Sequence, residues 1–190
     1  MRAELGQLVN WAVTAQLAAR VEILAGDRVR AEVLLREGSS ELARLGETGY
    51  LSTNEGQRAL ILIDLDRLPD ATDATRVCRR TAARDDVASQ ALWRSGEALL
   101  RSHDGQHADA IALAREACTL QDTTDFLDDQ AVVRVVLGRI LAAAGDPGSA
   151  RRAFAEAADL FDQKGIVQSA VETRERIAQL DQAPATFPPP

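Results

Sequence analysis

Apolar residues recur at three- and four-residue steps along most of the chain, which is the period of an amphipathic α-helix. In the clearest run one helix face is formed by Val133, Val136, Leu137, Ile140, Leu141 and Ala144. Gly145-Asp146-Pro147 ends this run, and the apolar period resumes after it. A glycine readily ends one helix and a proline fits the first turn of the next, so this stretch predicts a helical hairpin.

The same pattern of break and resumption occurs three times upstream. The breaks are Gly26-Asp27, Leu68-Pro69-Asp70 and Asp104-Gly105. The alanines in register after the four breaks are Ala31, Ala74, Ala110 and Ala150. Their separations, counted from the numbering, are 43, 36 and 40 residues. Periods of this size are typical of stacked helical hairpins, so we predict about four hairpins and a capping helix from Ile166 to about Leu180.

The second helix of the last hairpin has small residues on the face that it buries. Ala150, Ala153 and Ala157 lie together there, with Phe154 among them. Such a face lets two helix backbones come close, as a stack of hairpins requires. We therefore predict an all-α helical-repeat domain over residues 1–182, followed by a disordered, Pro-rich tail over residues 183–190.

Two local predictions concern residues 52 to 65. Ser52 and Glu55 have the spacing of a capping box, which predicts that a helix starts there. The run from Ala59 to Leu65 is rich in Leu and Ile, so its composition alone would also fit a buried strand. Because a capping box precedes it and the neighbouring units are helical, we predict helix.

These hairpins resemble tetratricopeptide repeats. In that family the first helix carries a small residue where the second helix crosses it. The second helix carries an alanine, a large residue four positions after it and another alanine seven positions after it. In this chain the matching residues are Gly138, Ala150, Phe154 and Ala157. The resemblance implies a tetratricopeptide-like right-handed superhelix that acts as a binding or scaffolding module.

A second resemblance covers about residues 26 to 180. It is carried by the segments LGETGYLSTNEGQRA, RDDVASQALWRSGEALL, TDFLDDQA and GDPGSARRAFAEAADLFDQKG. They are similar to the C-terminal helical-repeat region of bacterial signalling proteins that join a class III adenylate or guanylate cyclase domain to an AAA-type ATPase domain. The resemblance implies a sensing or docking segment and gives no cyclase or ATPase residues to this chain.

Charge and composition exclude several classes of function. The net charge of -7 argues against a general attraction to nucleic acid, which needs a basic surface. The single lysine, Lys164, precedes Gly165 instead of following a glycine, so the phosphate-binding loop of P-loop nucleotidases is absent. No run approaches the ~18 apolar residues of a membrane span. We expect a cytoplasmic protein with two buried thiols, Cys78 and Cys118.

The sequence offers no set of residues for catalysis or metal binding. His103 and His107 are separated by the predicted helix break at Asp104-Gly105, which argues against a zinc site. Neither cysteine has a base near it in the sequence. We therefore predict that this chain is not an enzyme, with no catalytic residues, no metal site and no cofactor.

An arginine series is the candidate binding site. Its members are Arg58, Arg94, Arg134 and Arg174. They are 36, 40 and 40 residues apart, so they take equivalent places in successive first helices. The residues four positions earlier are Asn54, Gln90, Gln130 and Ala170. Residues i and i+4 share a helix face, so stacking would align these side chains as a polar ladder.

Two interpretations of the ladder are open at this point. In the first, the ladder lines a groove in which the arginines bind carboxylates of an acidic or extended peptide. Alternatively, each arginine pairs with an acid of a neighbouring helix, such as Asp86, Asp125 or Asp128, and is structural.

The predicted function is non-catalytic protein–protein interaction or scaffolding, with a regulatory role in a bacterial signalling protein. The expected partner is a protein or peptide, including domains of the same longer polypeptide, and neither nucleic acid nor membrane. One alternative is a small-anion sensor that uses a groove lined by arginines. Another is self-association into a homo-oligomer through the groove or the first helix.

Overall fold

The computed structural model describes residues 14–182, and every regular element in that range is an α-helix. The helices are α1 (14–24), α2 (Arg28–Leu45), α3 (Gly49–Asp64), α4 (Leu68–Thr81), α5 (Val87–His103), α6 (His107–Gln121), α7 (Leu127–Ala143), α8 (Pro147–Lys164) and α9 (Val167–Gln182). The predicted N-terminal part of the repeat domain, residues 1–13, and the predicted tail, residues 183–190, lie outside the described residues. None of the helices between residues 14 and 182 has the length and apolarity needed to cross a membrane.

Successive helices pair as hairpins. Ala19 of α1 packs with Ala31 and Leu35 of α2, and the next three hairpins are α3–α4, α5–α6 and α7–α8. Helix α9 packs on α8 and closes the array. The first helices α3, α5 and α7 are also neighbours of one another, so the hairpins stack side by side. The prediction of four hairpins and a final helix is confirmed, while the right-handed sense of the superhelix stays a prediction.

The core depends on small residues at the helix crossings. More than half of the buried apolar residues between positions 14 and 182 are alanines. A Cβ added at Gly138 in α7 would lie 2.6 Å from the ring of Phe154 in α8. One added at Gly56 in α3 would lie 2.6 Å from the Cβ of Leu92 in α5. At Gly138 the two helices of one hairpin approach too closely for a side chain to fit between them. At Gly56 the same is true of the first helices of adjacent hairpins.

The connection between α7 and α8 shows how short turns join the helices. Gly145 has φ 80°, a left-handed conformation that a residue with a Cβ adopts at a cost. One residue later, the Asp146 carboxylate accepts a hydrogen bond from the backbone N–H of Ser149 at 3.0 Å and caps the helix. That hydrogen bond lowers the pKa of Asp146. The predicted break at Gly145-Asp146-Pro147 is confirmed.

The run from Ala59 to Asp64 belongs to α3, so the helix prediction there is confirmed, but the predicted helix start at Ser52 is wrong. Helix α3 begins three residues earlier, at Gly49. The carboxylate of Glu47 accepts hydrogen bonds from the backbone N–H groups of Gly49 and Tyr50, at 3.0 and 2.8 Å, and takes the role expected of a cap. Ser52 instead lies inside the helix, where its hydroxyl contacts the hydroxyl of Ser89 in α5 at 2.7 Å.

Both cysteines are buried, as the sequence predicts. Cys78 lies in α4 and Cys118 in α6, the second helices of adjacent hairpins. Burial raises the pKa of Cys78 to about 12 and that of Cys118 to about 11. Because the thiolate is the reactive form, neither thiol is suited to nucleophilic chemistry.

We expect Gly138→Ala to destabilise the protein by about 1–3 kcal/mol, because the new methyl group overlaps the Phe154 ring. The matched control is Gly148→Ala, where the nearest atom to the new Cβ is 3.7 Å away. Urea unfolding followed by circular dichroism measures both variants. Adding Phe154→Leu to Gly138→Ala should restore part of the loss, since it removes the overlapping ring. Equal stability of the two alanine variants would show that the helices separate without cost.

The buried thiols predict a fall in stability in alkaline solution. In the unfolded chain a thiol ionises near pH 9, whereas in the folded chain it stays neutral up to its raised pKa. The stabilising contribution is therefore complete below pH 9 and is lost as the pH rises towards 11 and 12. Between pH 9 and 11 we expect each thiol to lower the free energy of unfolding by about 1.4 kcal/mol per pH unit. Urea unfolding of wild type and of Cys78→Ala/Cys118→Ala should show this extra slope only in wild type.

Candidate binding groove

A cavity of about 250 Å³ is lined mainly by residues of α1, α3, α5, α7 and α9. We call it the groove. Its apolar lining is formed by half-buried or exposed side chains of α1, α3, α5 and α7, among them Leu24, Leu60, Leu92, Val132 and Val135. Burial of apolar surface is the main favourable term in most protein association, so the groove is the natural place for a ligand to bind.

The sequence of α7 explains why the groove is apolar. This helix turns one apolar side into the hairpin core, where Ile140 and Leu141 are buried. Val132 and Val135 are half-buried: they pack against the cluster that contains Ala157 and Phe161, and they also line the groove. A helix with apolar residues on more than one side is enclosed on more than one side. Helix α7 is therefore covered by its own hairpin on one side and open to a ligand on the other.

One end of the groove carries a network of ion pairs centred on Arg28. The guanidinium of Arg28 donates from Nε to Asp64 Oδ2 at 3.3 Å and from Nη2 to Glu172 Oε2 at 3.4 Å. Asp64 is also paired with Arg139, at 2.8 Å. These contacts join α2 to α3 and α9, and α3 to α7. The first hairpin thus meets the last helix, and the array curves round the groove.

The opposite end carries two adjacent aspartates of α7. Asp128, which is 6% exposed, forms an ion pair with Arg20 of α1 and lies 4.0 Å from Nζ of Lys164. Asp129 follows it in the first turn of α7 and also lines the groove. Helix α7 thus contributes aspartates at its amino end and Arg139 at its carboxyl end, and side chains of opposite charge from other helices pair with Asp128 and Arg139.

Two charged side chains of the groove have no partner among residues 14–182. Asp129 and Arg176 are both half-buried, and neither side chain forms a hydrogen bond or an ion pair with the described part of the chain. Burial raises the pKa of Asp129. Burial, together with repulsion by Arg139, lowers the pKa of Arg176. Both shifts indicate charges that have lost water without gaining a full set of partners.

The predicted arginine series lies outside this cavity. Arg58 of α3 is enclosed by two buried carboxylates: its Nε is 3.0 Å from Glu32 Oε1, and its Nη1 is 3.2 Å from Glu55 Oε2. Glu32 and Glu55 are 3% and 4% exposed. Removal of Arg58 would therefore leave Glu55 without an ion pair in the described chain, whereas Glu32 would keep Arg67 and Arg36, at 3.4 and 3.6 Å.

The next two arginines repeat one arrangement. Arg94 pairs with Glu116 at 3.0 Å, and Arg134 pairs with Glu156 at 3.2 Å, in each case an acid on the second helix of the same hairpin. Each also donates from Nη1 to the backbone carbonyl four residues earlier. These contacts tie the two helices of a hairpin together.

A second contact connects successive hairpins. Arg134 pairs with Asp122 at 2.7 Å, and Arg174 pairs with Asp162 in the equivalent place forty residues on. The acids that pair with the series are therefore not Asp86, Asp125 or Asp128, which the sequence analysis named as examples.

The amides of the ladder do not line the cavity either. Asn54 is fully buried, and neither atom of its amide group has a hydrogen-bond partner in the described chain. Gln90 and Gln130 donate to the carbonyls of Ala83 and Thr124, at 2.9 and 2.7 Å, and fix the turn before their helices. A direct contact between a partner and the four arginines or the three amides of the ladder stays a prediction.

The groove residues were missed because they are offset by one or two positions from the arginine series. Val132 and Val135 interrupt the polar side expected of α7, and this second apolar side was the available signal. The adjacent acids Asp128 and Asp129 gave no comparable signal. Their proximity to α1 and α9 depends on the curvature of the array, which periodicity does not encode.

No family model matches the chain, and no curated protein sequence is significantly similar to it. Among solved structures, BtubC (BKLC) from P. vanneervenii is similar with a TM-score of 0.54 and 16% identity, over 94% of this chain and 66% of that one. This chain thus spans just under two thirds of that protein. A Podospora anserina protein of kinesin light chain type, with nearly identical TPR-like repeats, gives a TM-score of 0.49 and 16% identity, over 92% and 96%. At this identity the likeness concerns the fold alone, which over the described residues is an all-α helical repeat.

The ion pairs predict that the arginines of the series differ in their effect on stability. Arg58→Ala should cost about 3–5 kcal/mol, because it leaves the buried Glu55 without its guanidinium and removes the shortest ion pair of Glu32. Arg174→Ala should unfold close to wild type, since Arg174 and Asp162 are both about half exposed and water replaces the contact. Urea denaturation measures the difference. A small effect at Arg58 would show that its role is not structural.

Proposed function

We propose that this chain is a protein–protein interaction module whose groove binds a peptide segment of a partner. The observation that supports this most directly is the apolar cavity of about 250 Å³ at the junction of α1, α3, α5, α7 and α9. The walls of the groove are formed by packed α-helices, so the protein itself loses little conformational entropy when a peptide binds. Ligand sites are mostly apolar clefts with a few placed polar groups, and this groove fits that description.

The wider role that we propose is regulatory, within a cytoplasmic bacterial signalling protein. Support comes from the likeness of residues 26–180 to the helical-repeat region of proteins with cyclase and ATPase domains. In such an arrangement the partner segment would belong to a neighbouring domain of the same polypeptide. Binding of a separately produced domain of that type to the full chain, measured by isothermal titration calorimetry, tests this context.

A small-anion sensor is a second candidate, and the unpaired guanidinium of Arg176 favours it. A thermal-shift panel of phosphate and small carboxylates separates the two functions. A rise in Tm with one anion, abolished by Arg176→Gln, would assign the groove to a metabolite. Unchanged Tm across the panel, together with binding of a peptide, supports the proposed function.

Selection of a phage-displayed library of random decapeptides against the full chain provides a peptide for testing the groove. We expect Leu24→Glu to weaken its binding by about tenfold or more, because the new carboxylate must be desolvated against the apolar lining. Fluorescence anisotropy with the labelled peptide measures the change.

The matched control is Val21→Glu, on the same helix. Val21 is 65% exposed and lies outside the groove, whereas Leu24 is 41% exposed and lines it. Equal weakening by both variants would place the peptide on the outer face of α1 instead. Failure of the library to yield any binding peptide would argue against the proposed function.

A further inference from the structure

The two unpaired charges lie at opposite ends of the groove. Asp129 lies at the amino end of α7, beside Asp128. Arg176 lies on α9, close enough to Arg139, at the other end of α7, for that guanidinium to help lower its pKa. Both side chains line the same cavity. Within residues 14–182 the groove therefore presents one negative and one positive side chain that form no hydrogen bond or ion pair, and apolar side chains line the same cavity.

The neighbouring charges do not offer the same possibility, because they already have partners. Asp64 is shared by Arg28 and Arg139, and Asp128 is paired with Arg20. A charge that has lost part of its hydration without gaining a partner is unfavourable, and an opposite charge brought by a ligand would remove that cost. The two free groups are thus the polar atoms that a ligand gains most from meeting.

The length of α7 sets the distance between the ends. Asp129 and Arg139 are ten residues apart on one helix, which corresponds to about 15 Å at 1.5 Å per residue. An extended peptide covers that distance with about four or five residues. A segment with a charge at each end and apolar residues between them would match the groove in both length and polarity.

We propose that the groove selects a peptide segment with a basic residue and an acidic residue about four or five positions apart, separated by apolar residues. The basic side chain pairs with Asp129, the acidic side chain pairs with Arg176, and the apolar side chains contact Leu60, Leu92, Val132 and Val135. This inference rests on the proposed function, and it adds the charge pattern of the partner. Charge complementarity of this kind contributes to the choice of partner as well as to affinity.

The decapeptide selection provides the first test. The expected result is enrichment of sequences in which a basic and an acidic residue flank an apolar stretch at the stated separation. Enrichment of apolar sequences without a charge pattern would overturn this inference and leave the proposed function standing. A selection that enriches no binding sequence would overturn both.

Double-mutant cycles identify which charges meet. The probes are an enriched peptide and two derivatives, one with Gln in place of its basic residue and one with Gln in place of its acidic residue. They are titrated by fluorescence anisotropy against wild type, Asp129→Asn and Arg176→Gln. We expect each charge removal to weaken binding by about tenfold, and we expect Asp129 to couple to the basic residue and Arg176 to the acidic one.

Additive effects in every cycle would overturn the assignment, because they would show that the peptide charges do not meet these two side chains. Circular dichroism of Asp129→Asn and Arg176→Gln checks that both variants fold, and both conserve side-chain size. Light scattering of the peptide-free protein tests whether a second copy of the chain occupies the groove. A dimer mass that the peptide dissociates would assign the groove to a second copy of the chain and overturn the inference.

Discussion

Close approach of helix backbones is the constraint on which the rest of the structure depends. At Gly138 and Gly56 the neighbouring helix occupies the place of a side chain, and alanines are more than half of the buried apolar residues between positions 14 and 182. Small residues of this kind leave little freedom in the distance between helices. The helices of each hairpin and the first helices of successive hairpins are thereby held in a fixed relation, and the shape of the groove follows from that relation.

Ion pairs add contacts between parts of the array that are far apart in sequence. The interior of the stack is held by apolar contacts, but the first hairpin meets the last helix through Arg28, which joins residues 144 positions apart in sequence. Asp64 takes part in the same network and lines the groove. Most of the charged side chains that line the cavity form ion pairs with other side chains of the protein. Among residues 14–182, Asp129 and Arg176 are the two charged side chains of the groove that form no such pair.

The sequence was informative about the fold because repetition and helical period are local signals. Gly138 and Phe154 were recognisable as a crossing pair. The helical prediction for residues 59–64 was correct because the neighbouring units are helical, although the capping box also used to support it is not where α3 begins. The start of α3 was misplaced because a capping box at Ser52 competes with the carboxylate of Glu47, and spacing alone does not decide between them. The groove was out of reach for a different reason. Its residues come from helices far apart in sequence, and their meeting depends on the accumulated curvature of several hairpins.

The contacts of Arg134 have a consequence for how such an array can grow. This arginine holds one acid on its own hairpin and one on the hairpin before it, and the two kinds of contact recur forty residues away, at Arg94 and at Arg174. A segment of forty residues therefore carries both halves of its own connectors. If it were duplicated in a gene, the extra unit would arrive with matching contacts at each junction. The architecture can thus lengthen by whole units without inventing a new interface.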